Sequence, residues 1–93
     1  MSEIDIKKQA LKIFEDILEL DPDTVRMEQT FEDLEIDSIL FIRLVVQCET
    51  EFNLQFEDEM LLITKFPDVG TYVEYIQSRY GIAADNAHDG GDV

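Results

Sequence analysis

The sequence predicts an all-α fold, a four-helix bundle of three longer helices and one short one with a long first loop. Two observations lead there. Apolar residues recur at helical spacing over three separate stretches, and helix-stop signals divide those stretches cleanly. The length of 93 residues with 45% hydrophobic residues supplies one small core.

The first helix spans Glu3 to Leu20. Ile6, Ala10, Ile13, Phe14 and Ile17 share one face. Ser2 caps it, with Asp5 three residues on in a near capping-box pattern, and Asp21-Pro22 ends it. From Asp21 to Asp37 no period holds. This is long for a loop in a compact domain, and such loops are often functional. Val25, Met27, Phe31, Leu34 and Ile36 are the anchors that tack it to the core.

A second helix begins at Asp37 or Ser38 and runs to about Phe52. Its core stripe is expected along Ile42, Val45, Val46, Cys48 and Phe52, and Asn53 closes it in a left-handed conformation. A short helix follows within Gln55 to Ile63. Asp68 caps a last helix with Val69, Tyr72, Val73, Ile76 and Tyr80 on its apolar face and Gly81 at its end. Residues 1–82 are thus expected to form the folded domain. Residues 83–93 carry no period and read as a disordered tail.

Charge narrows the partners. With 22 acidic and 7 basic residues the net charge is -15. Nucleic acid and anionic membrane surfaces are excluded, since both demand cations. Partners with basic patches are favoured, steered over distance and weakened by salt. No signal peptide or spanning helix is visible, so a cytoplasmic monomer is expected. Cys48 is the one cysteine. It stands among apolar helix positions and reads as core packing. Asp21 to Glu32 has the span of a calcium-binding loop, but Arg26 replaces its turn glycine and Val25 offers no side-chain oxygen. No metal site is expected. His88 lies in the tail and reads as incidental.

The chemistry gathers at Phe31-Glu32-Asp33-Leu34-Glu35-Ile36-Asp37-Ser38-Ile39-Leu40. A long loop delivers a serine to the start of a helix. The helix start presents N–H groups and partial positive charge, which suit a phosphate. Leu40 and Phe41 cannot both face the core together with Ile39, Ile42 and Val45, so an apolar residue is left for a partner. Simple capping by Asp37 or Ser38 explains the dipeptide alone. An acidic helical adaptor or nucleic-acid mimic explains the charge and the helices, but not a serine at the exit of a long loop.

The segment resembles the acyl carrier and peptidyl carrier protein family, whose hallmark is an Asp-Ser-Leu-type motif opening the second helix. Glu49-Thr50-Glu51-Phe52 is similar to the family's Glu-x-x-Phe helix end, and the likeness extends from about Ile4 to Tyr80. It implies a carrier, not an enzyme. Ser38 would accept 4′-phosphopantetheine from coenzyme A through a Mg²⁺-dependent phosphopantetheinyl transferase, and the arm would hold an acyl or aminoacyl group as a thioester. Asp37 matches the family's acidic residue beside the serine and is assigned to transferase recognition or metal coordination during loading.

Loading and processing enzymes with basic or apolar docking patches are the further partners. Asp37, Ile39, Leu40 and Arg43 form the expected partner face, with Met60 and Leu61 added from the short helix. Glu35-Ile36 stands where fatty-acid carriers favour small residues, and Leu40-Phe41-Ile42-Arg43 where they favour carboxylates. Both departures point toward a stand-alone carrier of polyketide or nonribosomal-peptide biosynthesis. A fatty-acid carrier is the alternative.

Overall fold

The chain is described from a computed structural model, which covers residues 2–90, with side chains as far as Gly81. Three α-helices carry the fold: α1 (Glu3–Leu18), α2 (Ser38–Phe52) and α3 (Val69–Gly90). Two 3₁₀ turns, Asp58–Met60 and Ile63–Lys65, join α2 to α3. They stand where one short helix was expected. The buried rings of Phe56 and Phe66 pin both ends of this connection to the core. The Glu57 N–H also donates to the Tyr75 hydroxyl at 2.9 Å, and Arg79 Nε donates to the Gln55 carbonyl at 2.9 Å. Tight single turns follow that path where a regular helix would not.

The core is aromatic at its centre. Phe14, Phe31, Phe41, Phe66 and Tyr72 are all buried. Phe14 meets Tyr72 edge-on at 5.2 Å between ring centroids, and Phe66 meets Tyr72 the same way at 5.2 Å. These tilted and edge-on pairs suit the ring quadrupoles and add to simple burial. Cys48 is fully buried beside Tyr72, as its neighbours in sequence implied. Burial pushes its thiol pKa up to about 12, against the lowering effect of the Tyr72 hydroxyl. The Tyr72 hydroxyl is itself buried without a hydrogen bond of ordinary geometry, so the sulfur contact is a weak one.

Three chain segments close by the same device. Glu19, Glu35 and Asn53 each take a left-handed conformation, with φ of 57°, 56° and 52°. The next residue's N–H then reaches back five positions: Leu20 to the Glu15 carbonyl at 2.8 Å, Ile36 to Phe31 at 2.9 Å, and Leu54 to Glu49 at 3.2 Å. This is the Schellman closure. It ends α1 at Leu18, before the Asp21-Pro22 stop that the sequence suggested. At the other end, α3 runs through Gly81, which was expected to close it. Gly81 does not take a positive φ, and the alanines that follow favour continued helix. The segment 83–93, expected as a disordered tail, is helical in its backbone as far as Gly90. Residues 91–93 and the side chain of His88 lie outside the described residues.

The core face of α2 differs from the expected one. Phe41, Leu44, Val45, Cys48 and Phe52 are buried, while Ile42 and Val46 are exposed. This helix is apolar around most of its circumference, so spacing alone left its rotation open. Packing Phe41 into the ring cluster settles it.

Candidate functional site

The loop from Asp21 to Asp37 hides a single helical turn that aims the site. Thr30 and Asp33 cap it reciprocally: the Thr30 N–H donates to Asp33 Oδ2 at 3.1 Å, and the Asp33 N–H donates to Thr30 Oγ1 at 2.9 Å. Phe31 and Ile36, the third-from-last and following residues of that turn, are both buried. Ile36 is thereby driven inward and the next two residues, Asp37 and Ser38, outward. A second pair of contacts holds the loop to α3. The N–H groups of Val69 and Gly70 donate to the carbonyls of Gln29 at 2.9 Å and Met27 at 2.8 Å. A Cβ at Gly70 would stand 3.2 Å from that Met27 oxygen, so a larger residue fits only if the loop carbonyl gives by a few tenths of an ångström.

Asp37 is the N-cap of α2. Its Oδ1 accepts the Leu40 N–H at 2.8 Å, and its carbonyl accepts the Phe41 N–H at 2.9 Å. Ser38 is the first helical residue and is exposed. Capping is therefore the work of Asp37, and no described hydrogen bond uses the Ser38 hydroxyl. No acidic residue occupies the first turn of α2, so the positive end of the helix dipole faces outward uncompensated beyond the cap.

The expected partner face divides. Ile39 is 74% exposed beside Ser38, and Arg43 is exposed one turn on. Leu40, Met60 and Leu61 are half-buried and pack against the core. Two exposed side chains escaped the sequence reading: Ile42, at 44%, and Val46, at 55%. Their spacing predicts core positions for both. The signal that existed was a second apolar stripe, Phe41-Leu44-Cys48, at equally good helical spacing.

A phosphopantetheine group fits this arrangement. The serine hydroxyl is reachable and uncommitted, and helix N–H groups beside it suit a phosphate. An acid stands next to it, and an apolar residue, Ile39, lies within one step for the organic part of an arm.

Comparison with known proteins agrees. The family model described as the phosphopantetheine attachment site matches residues 8–76. The chain is 33% identical over 82 residues to an acyl carrier protein of Lactobacillus acidophilus, covering 87% of this chain and all of that one. It is 29% identical over 76 residues to a meromycolate extension acyl carrier protein of Mycobacterium leprae, covering 80% of this chain and 66% of that one. A crystal structure of an acyl carrier protein from Thermotoga maritima superposes with a TM-score of 0.72 at 30% identity, over 89% of this chain and 95% of that one.

Proposed function

This chain belongs to the acyl carrier protein family, whose members carry a covalent 4′-phosphopantetheine, and we propose that Ser38 is the attachment residue and that the cargo is an acyl group. The observation that supports Ser38 is its exposed hydroxyl at the first position of α2, left uncommitted because Asp37 does the capping. The arm supplies a thiol that holds the cargo as a thioester. The chain's own part is to hold Ser38 Oγ at the surface and its neighbours in fixed register. Asp37 fixes the helix start and offers its second carboxylate oxygen to the transferase or to the Mg²⁺ of loading. A carrier of this kind works in the cytoplasm with a phosphopantetheinyl transferase and with enzymes that load and process the acyl group.

The pathway reading follows the outer face of α2. Ile39, Ile42, Arg43 and Val46 stand where a basic docking patch finds no carboxylate. That favours a carrier in polyketide or nonribosomal-peptide biosynthesis. The names of the relatives favour a second reading, fatty-acid elongation; acyl cargo is compatible with it and with the polyketide reading, whereas a nonribosomal-peptide carrier would hold an aminoacyl group.

The test is an intact mass spectrum after incubation with coenzyme A, Mg²⁺ and a broad-specificity transferase. A phosphopantetheine gain in the wild type and none in Ser38→Ala is expected. Gain in the alanine variant contradicts the site. Offering the loaded chain malonyl, longer acyl and aminoacyl donors with their transferring enzymes then separates the pathways. Aminoacyl loading alone would contradict the acyl cargo.

A further inference from the structure

From Ser38 to Cys48 the one charged residue is Arg43, in a chain with 22 acidic residues. Ile39, Ile42 and Val46 follow one another at helical spacing and share a face that begins beside Ser38. Each is exposed, and together they form a row of apolar side chains along one face of α2. Ile17 of α1 joins them: it lines a groove of about 280 Å³ with Ile42, Arg43, Val46 and Gln47. Ile17, Arg43 and Gln47 also line the next groove along the α1–α2 seam, about 360 Å³, where Lys12 and Arg43 stand with Asp16 and Glu51 at its rim. Among the described residues the ion pair is Arg79 with Glu57, and Arg43 has none.

The charge pattern says what covers this seam. A second copy is disfavoured, because two bodies of net charge -15 repel on approach. A basic patch is drawn to the rest of the surface but meets apolar groups and a cation here. The complement is an apolar patch with a carboxylate.

We propose that the α1–α2 seam, built on Ile17, Ile42, Arg43 and Val46, is the docking surface for an enzyme that acts on the loaded chain, and that this enzyme presents an apolar patch with a carboxylate opposite Arg43. The proposal rests on the reading of Ser38 as the tether and names the chemistry of the partner.

The experiment places a photo-crosslinking benzoylphenylalanine at Val46, and in a second sample at Glu74, exposed on α3, in the cells that make the protein. The crosslinked peptides are sequenced, and the intact mass of the chain from the same culture reports the arm. The expected result is several-fold more crosslinking at 46 than at 74, to an enzyme of carrier-bound thioesters, within a peptide that is apolar and acidic. With that enzyme purified, Arg43→Glu raises KM for the loaded chain about tenfold with kcat little changed, and Arg43→Lys retains most of the affinity. A lysine- and arginine-rich peptide, a second copy of the chain, or yield at 46 no higher than at 74 overturns the seam. If the arm is present when the seam fails, the carrier reading stands alone. If the arm is absent, both fall.

Discussion

At the scale of single residues, Asp37 and Ser38 divide two tasks that the sequence left shared. Asp37 holds the helix start and Ser38 keeps an uncommitted hydroxyl. Asp37→Ala should therefore cost about 1 kcal/mol of stability in chemical denaturation. Ser38→Ala should change it by no more than about 0.5 kcal/mol, since alanine is an excellent helix former. Equal losses would mean that the serine shares the cap. Asp68 makes a parallel case at the head of α3. Its Oδ1 accepts the Thr71 N–H at 2.7 Å and the Thr71 hydroxyl at 2.8 Å. These bonds to Thr71, the backbone one first, hold its carboxyl below the ordinary carboxylate range. A depressed folded pKa contributes stability that is present above the unfolded value and is lost as pH falls through the folded one. Asp68→Asn should remove that part of the acid sensitivity below about pH 4, read as a shallower loss of Tm in acid than the wild type shows.

At the scale of elements, the three left-handed closures explain both the fold's economy and one departure from the family pattern. Glu35 occupies a backbone region that costs an L-residue about 1 kcal/mol, and small residues are what the resemblance leads one to expect there. Glu35→Gly should raise stability by up to about 1 kcal/mol after the entropy of the unfolded chain is counted. Glu35→Val should lower it. A clear loss with glycine would contradict the closure.

The same elements show what the sequence made legible. The faces of α1 and α3 carry a single apolar stripe each, and Ile6, Ala10, Ile13 and Phe14, then Val69, Tyr72, Val73 and Ile76, are buried as their spacing predicts. The loop anchors Val25, Phe31 and Ile36 are buried too. The rotation of α2 was not legible, because Ile39, Ile42 and Val46 compete with Phe41, Leu44 and Cys48 for the core on spacing alone. Only three-dimensional packing of the Phe41 ring with Phe31 and Phe66 decides it. The helical turn at 30–36 was hidden for another reason. It is a single turn held by caps, shorter than any period can reveal.

At the scale of the whole molecule, the described core side chains of α3 end with buried Ile76 and half-buried Tyr80. A chain truncated after Ile82 should keep its Tm within a few degrees and still be loaded. A large fall would place the domain boundary further along the helix. Among the described residues no helix is long and apolar enough to cross a membrane. The molecule is a scaffold that presents Ser38, its Asp37 cap and an apolar strip with the single cation Arg43 on an otherwise acidic body. Its consequence is transport of a covalently held group between enzymes.

The function proposed for the molecule stands or falls on Ser38 as the residue that bears the arm. Fragmentation of the intact protein by mass spectrometry, on chain purified from its own cells, tests it most directly. The expected result is phosphopantetheine, with or without an acyl group, confined to fragments that contain Ser38. Phosphopantetheine on fragments that lack Ser38, or a chain that carries none, would contradict it.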